Sequence, residues 1–262
     1  MLLEDKVVIV SGIGPGLGIK LSTLCAQEGA KLAVCARTAS KLDEAEQAIR
    51  DAGLNSEILK VSTDISDRAQ CDALVQQTLD KYGRVDVLIN SAYSPGDFGP
   101  VATANMDDWR KTMDINLMGT MNLSQAVVPA MKKQGSGAIV MVNSMVTRKM
   151  MPMQAGYAAS KGALTAAAKS LAVELGPLGI RVNSVYMGWM WGPPVEGYMR
   201  SAAKAQGTSV EDQIAAVAKN IPLGRIPEDG ECAKAVVFLA SDYASVITGA
   251  KLDVNGGEFI PL

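Results

Sequence analysis

The chain has 262 residues, and its 27 acidic against 25 basic side chains leave a net charge of −2, so it carries no positive field and nucleic acid is not an expected partner. Hydrophobic residues make up 48% and charged residues 20%, which sets disordered and fibrous classes aside and leaves enough apolar material for a full core without staples. There is no histidine, which excludes Ser-His-Asp and Cys-His hydrolases, the H-E-x-x-H zinc site and any histidine general base.

In chain order, residues 6–11 are β-branched and apolar and predict a buried strand, after which residues 17–29 carry a helical period that closes on Gly29 at a C-cap. The cycle repeats, predicting strands at 31–36, 56–61, 85–90, 138–143, 180–185 and 247–254, with helices near 39–52, 67–82, 107–133, 157–176 and 228–241. Strands that are apolar throughout and separated by helices point to a parallel sheet covered on both faces, an α/β doubly wound fold. No repeat or linker interrupts the alternation, so residues 1–262 are expected to form one domain. Residues 188–225 alone break the rhythm, with Pro193-Pro194, two tryptophans and a short helix expected over 198–205. A long insertion before the last helix is expected to serve as a substrate lid.

Cys25, Cys35, Cys71 and Cys232 form no C-x-x-C pair, so they are expected as small core residues, with no metal site and no disulfide framework. Glu4 and Asp5 stand where a secretory leader would be basic, and no apolar run approaches the roughly 18 residues that span a bilayer. A cytoplasmic protein without membrane partners is expected.

The first strand runs into Ser11-Gly12-Ile13-Gly14-Pro15-Gly16-Leu17-Gly18, and a helix follows at once. Glycines between a strand and a helix permit a tight turn and a close approach of backbone to a pyrophosphate, which then meets the helix N-terminus. Gly12, Gly14, Gly16, Leu17 and Gly18 are therefore candidates to hold a dinucleotide, although their G-x-x-x-G-x-G spacing differs from the G-x-G-x-x-G fingerprint. The second strand ends Cys35-Ala36-Arg37, and a basic residue there accommodates a 2′-phosphate where a carboxylate would bind the free 2′-hydroxyl. NADP(H) is accordingly favoured over NAD(H). Asp64 with Ile65, and Asn90 with Ala92, close the third and fourth strands at the edge where such sheets bind ligands, where they can equally cap helices or turns.

Tyr157 and Lys161 stand four residues apart, on one face of the helix after the fifth strand. An ammonium near a phenol favours its ionised form, which would turn a group of ordinary pKa of about 10 into an acid/base usable near neutrality. Ser144 closes the fifth strand and can hydrogen-bond a substrate carbonyl oxygen, while Asn116, costly inside a helix, needs a backbone or water contact to justify it.

Taken together, Gly12, Gly16 and Gly18, Asp64-Ile65, Asn90-Ser91-Ala92, Asn116, Ser144, Tyr157 with Lys161, and the strand Arg181-Val182-Asn183-Ser184-Val185 resemble a classical short-chain dehydrogenase/reductase over essentially the whole chain. The resemblance implies a Rossmann-like sheet of about seven parallel strands and a homotetramer or homodimer. It assigns the acid/base to Tyr157, the lowering of its pKa and a hold on the nicotinamide ribose to Lys161, substrate orientation to Ser144, and a water relay to Asn116. Ser11, Tyr93, Met187 and Gly192 depart from the family pattern, which has threonine, glycine, proline and threonine there; Gly188 keeps its place beside the cofactor.

Met145, Met150, Met151 and Met153 lie between Ser144 and Tyr157, and Trp189, Met190, Trp191 and Met199 lie in the expected lid. Soft apolar side chains suit varied apolar ligands. Ser144, Met145, Met151, Tyr157, Trp189 and Trp191 are thus candidate substrate contacts for a bulky hydrophobic ketone or secondary alcohol, cyclic or steroid-like. Enoyl reductases of the same superfamily resemble this chain with a Tyr-Lys spacing of seven, and epimerases carry a longer C-terminal region. The alternative from another class is a non-catalytic NADP(H)-binding sensor or scaffold, which typically lacks members of the tetrad.

Overall fold

The computed structural model describes residues 1–261. Seven strands, β1 (Val7–Ser11), β2 (Lys31–Ala36), β3 (Ile58–Ser62), β4 (Val87–Asn90), β5 (Gly137–Ser144), β6 (Ile180–Met187) and β7 (Lys251–Val254), form one sheet in the order β3-β2-β1-β4-β5-β6-β7, with every pair parallel. Successive side chains on a strand point to opposite faces. Val8, Val10, Leu32, Val34, Ile89 and Val140 accordingly pack on one side against helices α1 (Leu17–Gln27), α2 (Ala39–Asp51) and α9 (Asp229–Ala240). Ile9, Ala33, Leu88, Ile139 and Met141 pack on the other against α3 (Arg68–Tyr82), α5 (Thr120–Gln134) and α6 (Ala155–Leu175). Burying each such side chain contributes about 1.5–3 kcal/mol, so two continuous cores follow from strands that are apolar on both faces. All four cysteines are buried and unbonded within these cores, and burial pushes Cys25 and Cys35 up to about 12.

The order reverses between β1 and β4, whose last residues Ser11 and Asn90 are in register, and a cleft opens beyond them at the carboxyl ends of the strands. Two glycines make this junction possible. Gly12 has φ +80°, and a Cβ there would lie 2.3 Å from the Ala92 backbone; one at Gly18 would lie 2.4 Å from the Gly12 carbonyl oxygen.

Three stretches differ from the sequence reading. The helix expected over 107–133 is α4 (Met106–Met113), a π-helical segment (Asp114–Gly119) and then α5, because Asn116 turns its side chain to the chain beside it. The insertion carries two helices, α7 (Pro193–Gln206) and α8 (Val210–Ala218), where one short helix was expected. Pro193 and Pro194 occupy the first helical positions, where a missing N–H breaks no bond, and Ser209 with Asp212 forms a reciprocal cap on α8. The last strand is shorter than expected, since Gly249, at φ +74°, belongs to the turn leading into it. Among the described residues, no helix is long and apolar enough to cross a membrane.

Because the junction tolerates no Cβ, Gly12→Ala is expected to destabilise the protein by at least about 3 kcal/mol. Gly14, which has open space around its Cα, should accept alanine within about 0.5 kcal/mol. Urea unfolding of the two variants checks the contrast, and equal losses would refute it.

Candidate active site

The cleft has a volume of about 520 Å³, within the usual range for a ligand site. At one end lies the glycine loop. Gly16, at φ +113°, precedes α1 without a capping side chain, so the first amides of that helix have no side-chain acceptor and point their partial positive charge into the cleft. Arg37 and Lys41 line this end beyond β2, with the Lys41 ammonium 2.7 Å from Glu44. Asp64 and Ile65 line it beyond β3, and one Asp64 oxygen accepts hydrogen bonds from the Ser66 amide and hydroxyl. A shaped cradle of glycines, free amides and two cations fits a phosphate-bearing dinucleotide.

Ser144, Tyr157 and Lys161 converge at the middle of the cleft. Lys161, only 2% exposed, donates to the Val142 carbonyl at 2.8 Å, and its ammonium nitrogen lies 5.9 Å from the Tyr157 ring centre. The end of β5 is tied to α6 by a residue the sequence reading missed. Asn143 donates to Thr165 Oγ1 at 2.9 Å and to the Lys161 carbonyl at 3.3 Å, and its own oxygen accepts the Ser144 amide at 2.9 Å. Its only signal was an amide among apolar strand residues.

The charge balance differs from the sequence expectation. Desolvation at the cleft floor pushes the Tyr157 phenol well above its usual range, with the Ser144 hydroxyl opposing weakly and Tyr93 adding to the rise. The same burial pushes Lys161 down to about 8. Burial thus outweighs the neighbouring ammonium at Tyr157, and each of the two groups is shifted towards its neutral form.

Asn116 is fully buried behind the cleft, not in it. Its oxygen accepts the Ser94 amide at 2.7 Å, and its nitrogen donates to the Ser94 carbonyl and to Ser160 Oγ, both at 2.9 Å. The backbone contact thus accounts for the residue, and it anchors the segment after β4 to α6.

Gly12, Gly14, Gly16, Leu17, Gly18, Ala92, Met145, Met151, Gly188 and Trp189 all line the cleft. Besides Asn116, two candidates do not. By strand alternation Asn90 faces α5, where it donates to Ser124 Oγ at 3.0 Å within the core. Trp191 turns away into a small cluster with Met199, Ile221 and Ile226. Tyr93 and Asp229, which the reading did not include among the site residues, line the cleft. Tyr93 is 54% exposed and its ring lies 6.3 Å from that of Tyr157, and the Trp189 ring packs 5.6 Å from that of Tyr198.

Between about pH 8 and 10.5 the unfolded chain retains a lysine proton that native Lys161 has shed, so this residue makes stability rise with pH there. Relative to Lys161→Met, the wild type should gain about 2 kcal/mol between pH of about 7.5 and about 9.5 in urea unfolding. A flat difference would contradict the burial effect.

A family model described as enoyl-(acyl carrier protein) reductase matches residues 12–258. The chain is 36% identical to a 3-oxoacyl-(acyl-carrier-protein) reductase of Thermotoga maritima over 99% of its own length and 100% of that protein. It is 33% identical to a 3α-hydroxysteroid dehydrogenase of Mediterraneibacter gnavus over 98% of each chain. The crystal structure of levodione reductase superposes with a TM-score of 0.91 at 32% identity, covering 98% of both chains. NAD+-bound xylitol dehydrogenase (29% identity, 98% and 100% covered) and actinorhodin polyketide ketoreductase with NADPH (30%, 97% of each) superpose with 0.90.

Proposed function

The chain belongs to the short-chain dehydrogenase/reductase family of NAD(P)-dependent oxidoreductases, and on that footing we propose that it interconverts a bulky hydrophobic ketone, cyclic or steroid-like, and its secondary alcohol. The observation that carries this reading is a buried phenol, Tyr157, kept in its protonated form beside the Ser144 hydroxyl in a cleft walled by Met145, Met151 and Trp189. A nicotinamide dinucleotide, when bound, supplies the hydride that goes to the carbonyl carbon.

The residues that would hold it are the glycine loop with the first amides of α1, Arg37, Asp64 with Ile65, and Lys161. Ser144 donates a hydrogen bond that orients the carbonyl oxygen, and Tyr157 gives that oxygen its proton. Lys161, charged below about pH 8, then stabilises the phenolate until a solvent proton replaces the one lost. A phenol that burial keeps neutral is already the acid that the reduction step needs. The exposed Tyr93 ring and the Trp189–Tyr198 pair offer flat apolar faces at the mouth, which supports a cyclic substrate.

The description of the matching family model raises a second reading, reduction of an enoyl thioester. The spacing of four between Tyr157 and Lys161 favours the ketone. For the dinucleotide, Arg37 and Lys41 support a 2′-phosphate and hence NADP(H), since no carboxylate ends β2.

Tyr157→Phe deletes one hydroxyl and little volume. It should lower kcat with a cyclic ketone by at least about 100-fold while dinucleotide Kd stays within about twofold; retained turnover would refute the acid role. Arg37→Asp should weaken NADPH binding by at least about tenfold and leave NADH binding within about threefold. Equal losses in fluorescence titrations would remove the phosphate role.

A further inference from the structure

Asp229 is a buried carboxylate that the reaction does not use and, unlike Asp86, which Arg84 holds, it has no ion pair among the described residues. It is 4% exposed, opens α9, and lines the cleft at the glycine loop. Its backbone N–H is spent on the Trp191 carbonyl at 3.0 Å, while its Oδ2 is buried with no hydrogen-bond partner. That oxygen faces the loop from above: a Cβ at Gly192 would lie 2.6 Å from it and one at Gly16 3.6 Å. An orphan carboxylate oxygen therefore overlooks the amides that would receive a diphosphate.

Two anions cannot share a desolvated site without cost, and the cheapest relief is for the weaker acid to take up a proton. A diphosphate is the far stronger acid, so Asp229 is the group that must change. We propose that Asp229 acts as a proton-coupled cofactor-binding residue, neutral when a dinucleotide is bound and donating its hydrogen bond towards the diphosphate. The proton comes from solvent, the carboxylate becomes a carboxylic acid, and no other bond changes.

The surroundings agree. Lys20 of α1 is the cation facing Asp229, and Gly192, just before α7, faces it without titrating. On its own helix, Glu231 is held by Arg225 through two hydrogen bonds, and Glu228 serves as the cap. Burial already raises the Asp229 pKa above its ordinary value, with Lys20 and a hydrogen bond from the Gly230 amide opposing. Cofactor affinity is then constant below the pKa of free Asp229, falls as pH rises towards the pKa in the complex, and levels off beyond it.

This inference rests on the dinucleotide reading above, and calorimetric titration with NADH, which lacks a 2′-phosphate, separates the two. Wild type and Asp229→Asn would be measured from about pH 6 to about pH 8.5 in buffers of different ionisation enthalpy. The wild type should take up as much as about one proton more than the variant, and its Kd should rise with pH more steeply than the variant's, by up to about tenfold per pH unit, since Lys161 is common to both. Parallel pH profiles with equal proton uptake would overturn the inference alone. If the wild type bound neither NADH nor NADPH, the functional reading and this inference would both fall. Should Asp229→Asn fail to fold, absence of proton uptake by the wild type is itself the overturning result.

Discussion

The site exists because the chain crosses itself closely where the sheet reverses direction. The ends of β1 and β4 are in register, and the loops leaving them must separate to opposite faces while passing within contact of each other. Only a residue without a side chain fits at Gly12, against the Ala92 backbone, and at Gly18, against the Gly12 carbonyl. That steric constraint opens the cleft, aims the amides of α1 into it, and brings the ends of β5 and β6 up to complete its walls.

Within the cleft, burial is the force that sets chemical character. It pushes Tyr157 and Asp229 up and Lys161 down, so all three lean towards their neutral forms. For Tyr157 this means an acid ready to donate. For Lys161 it means a cation just stable at neutral pH, fixed by the Val142 carbonyl. Asn143 links the two chemical elements, since one side chain holds both the Ser144 amide and the Lys161 carbonyl.

Much of this was legible in the sequence, for reasons that differ from residue to residue. The seven strands could be read because parallel strands buried on both faces are apolar without interruption. Tyr157 and Lys161 could be read because a spacing of four fixes a shared helical face. Asn90 and Trp191 were misplaced because a strand-end or loop residue belongs to one of two faces, and the choice rests on register that spacing alone does not supply. Asn116 was noticed as an oddity, but it sits in a π-helical turn and its partner, Ser94, is 22 residues away. Asp229 gave no signal, since an acidic residue at a helix start is ordinary and its loneliness is a property of the folded neighbourhood.

The central claim is that this cleft carries out hydride transfer with Tyr157 as the proton donor. Its most direct test uses reduced dinucleotide deuterated at nicotinamide C4 together with a cyclic ketone, followed by mass spectrometry of the alcohol. Alcohol carrying deuterium on the carbinol carbon with the wild type, formed at least about 100-fold more slowly by Tyr157→Phe, is the predicted result. Product whose carbinol carbon carries no deuterium from either face of the nicotinamide, or an equal rate of deuterated product from the variant, would contradict it.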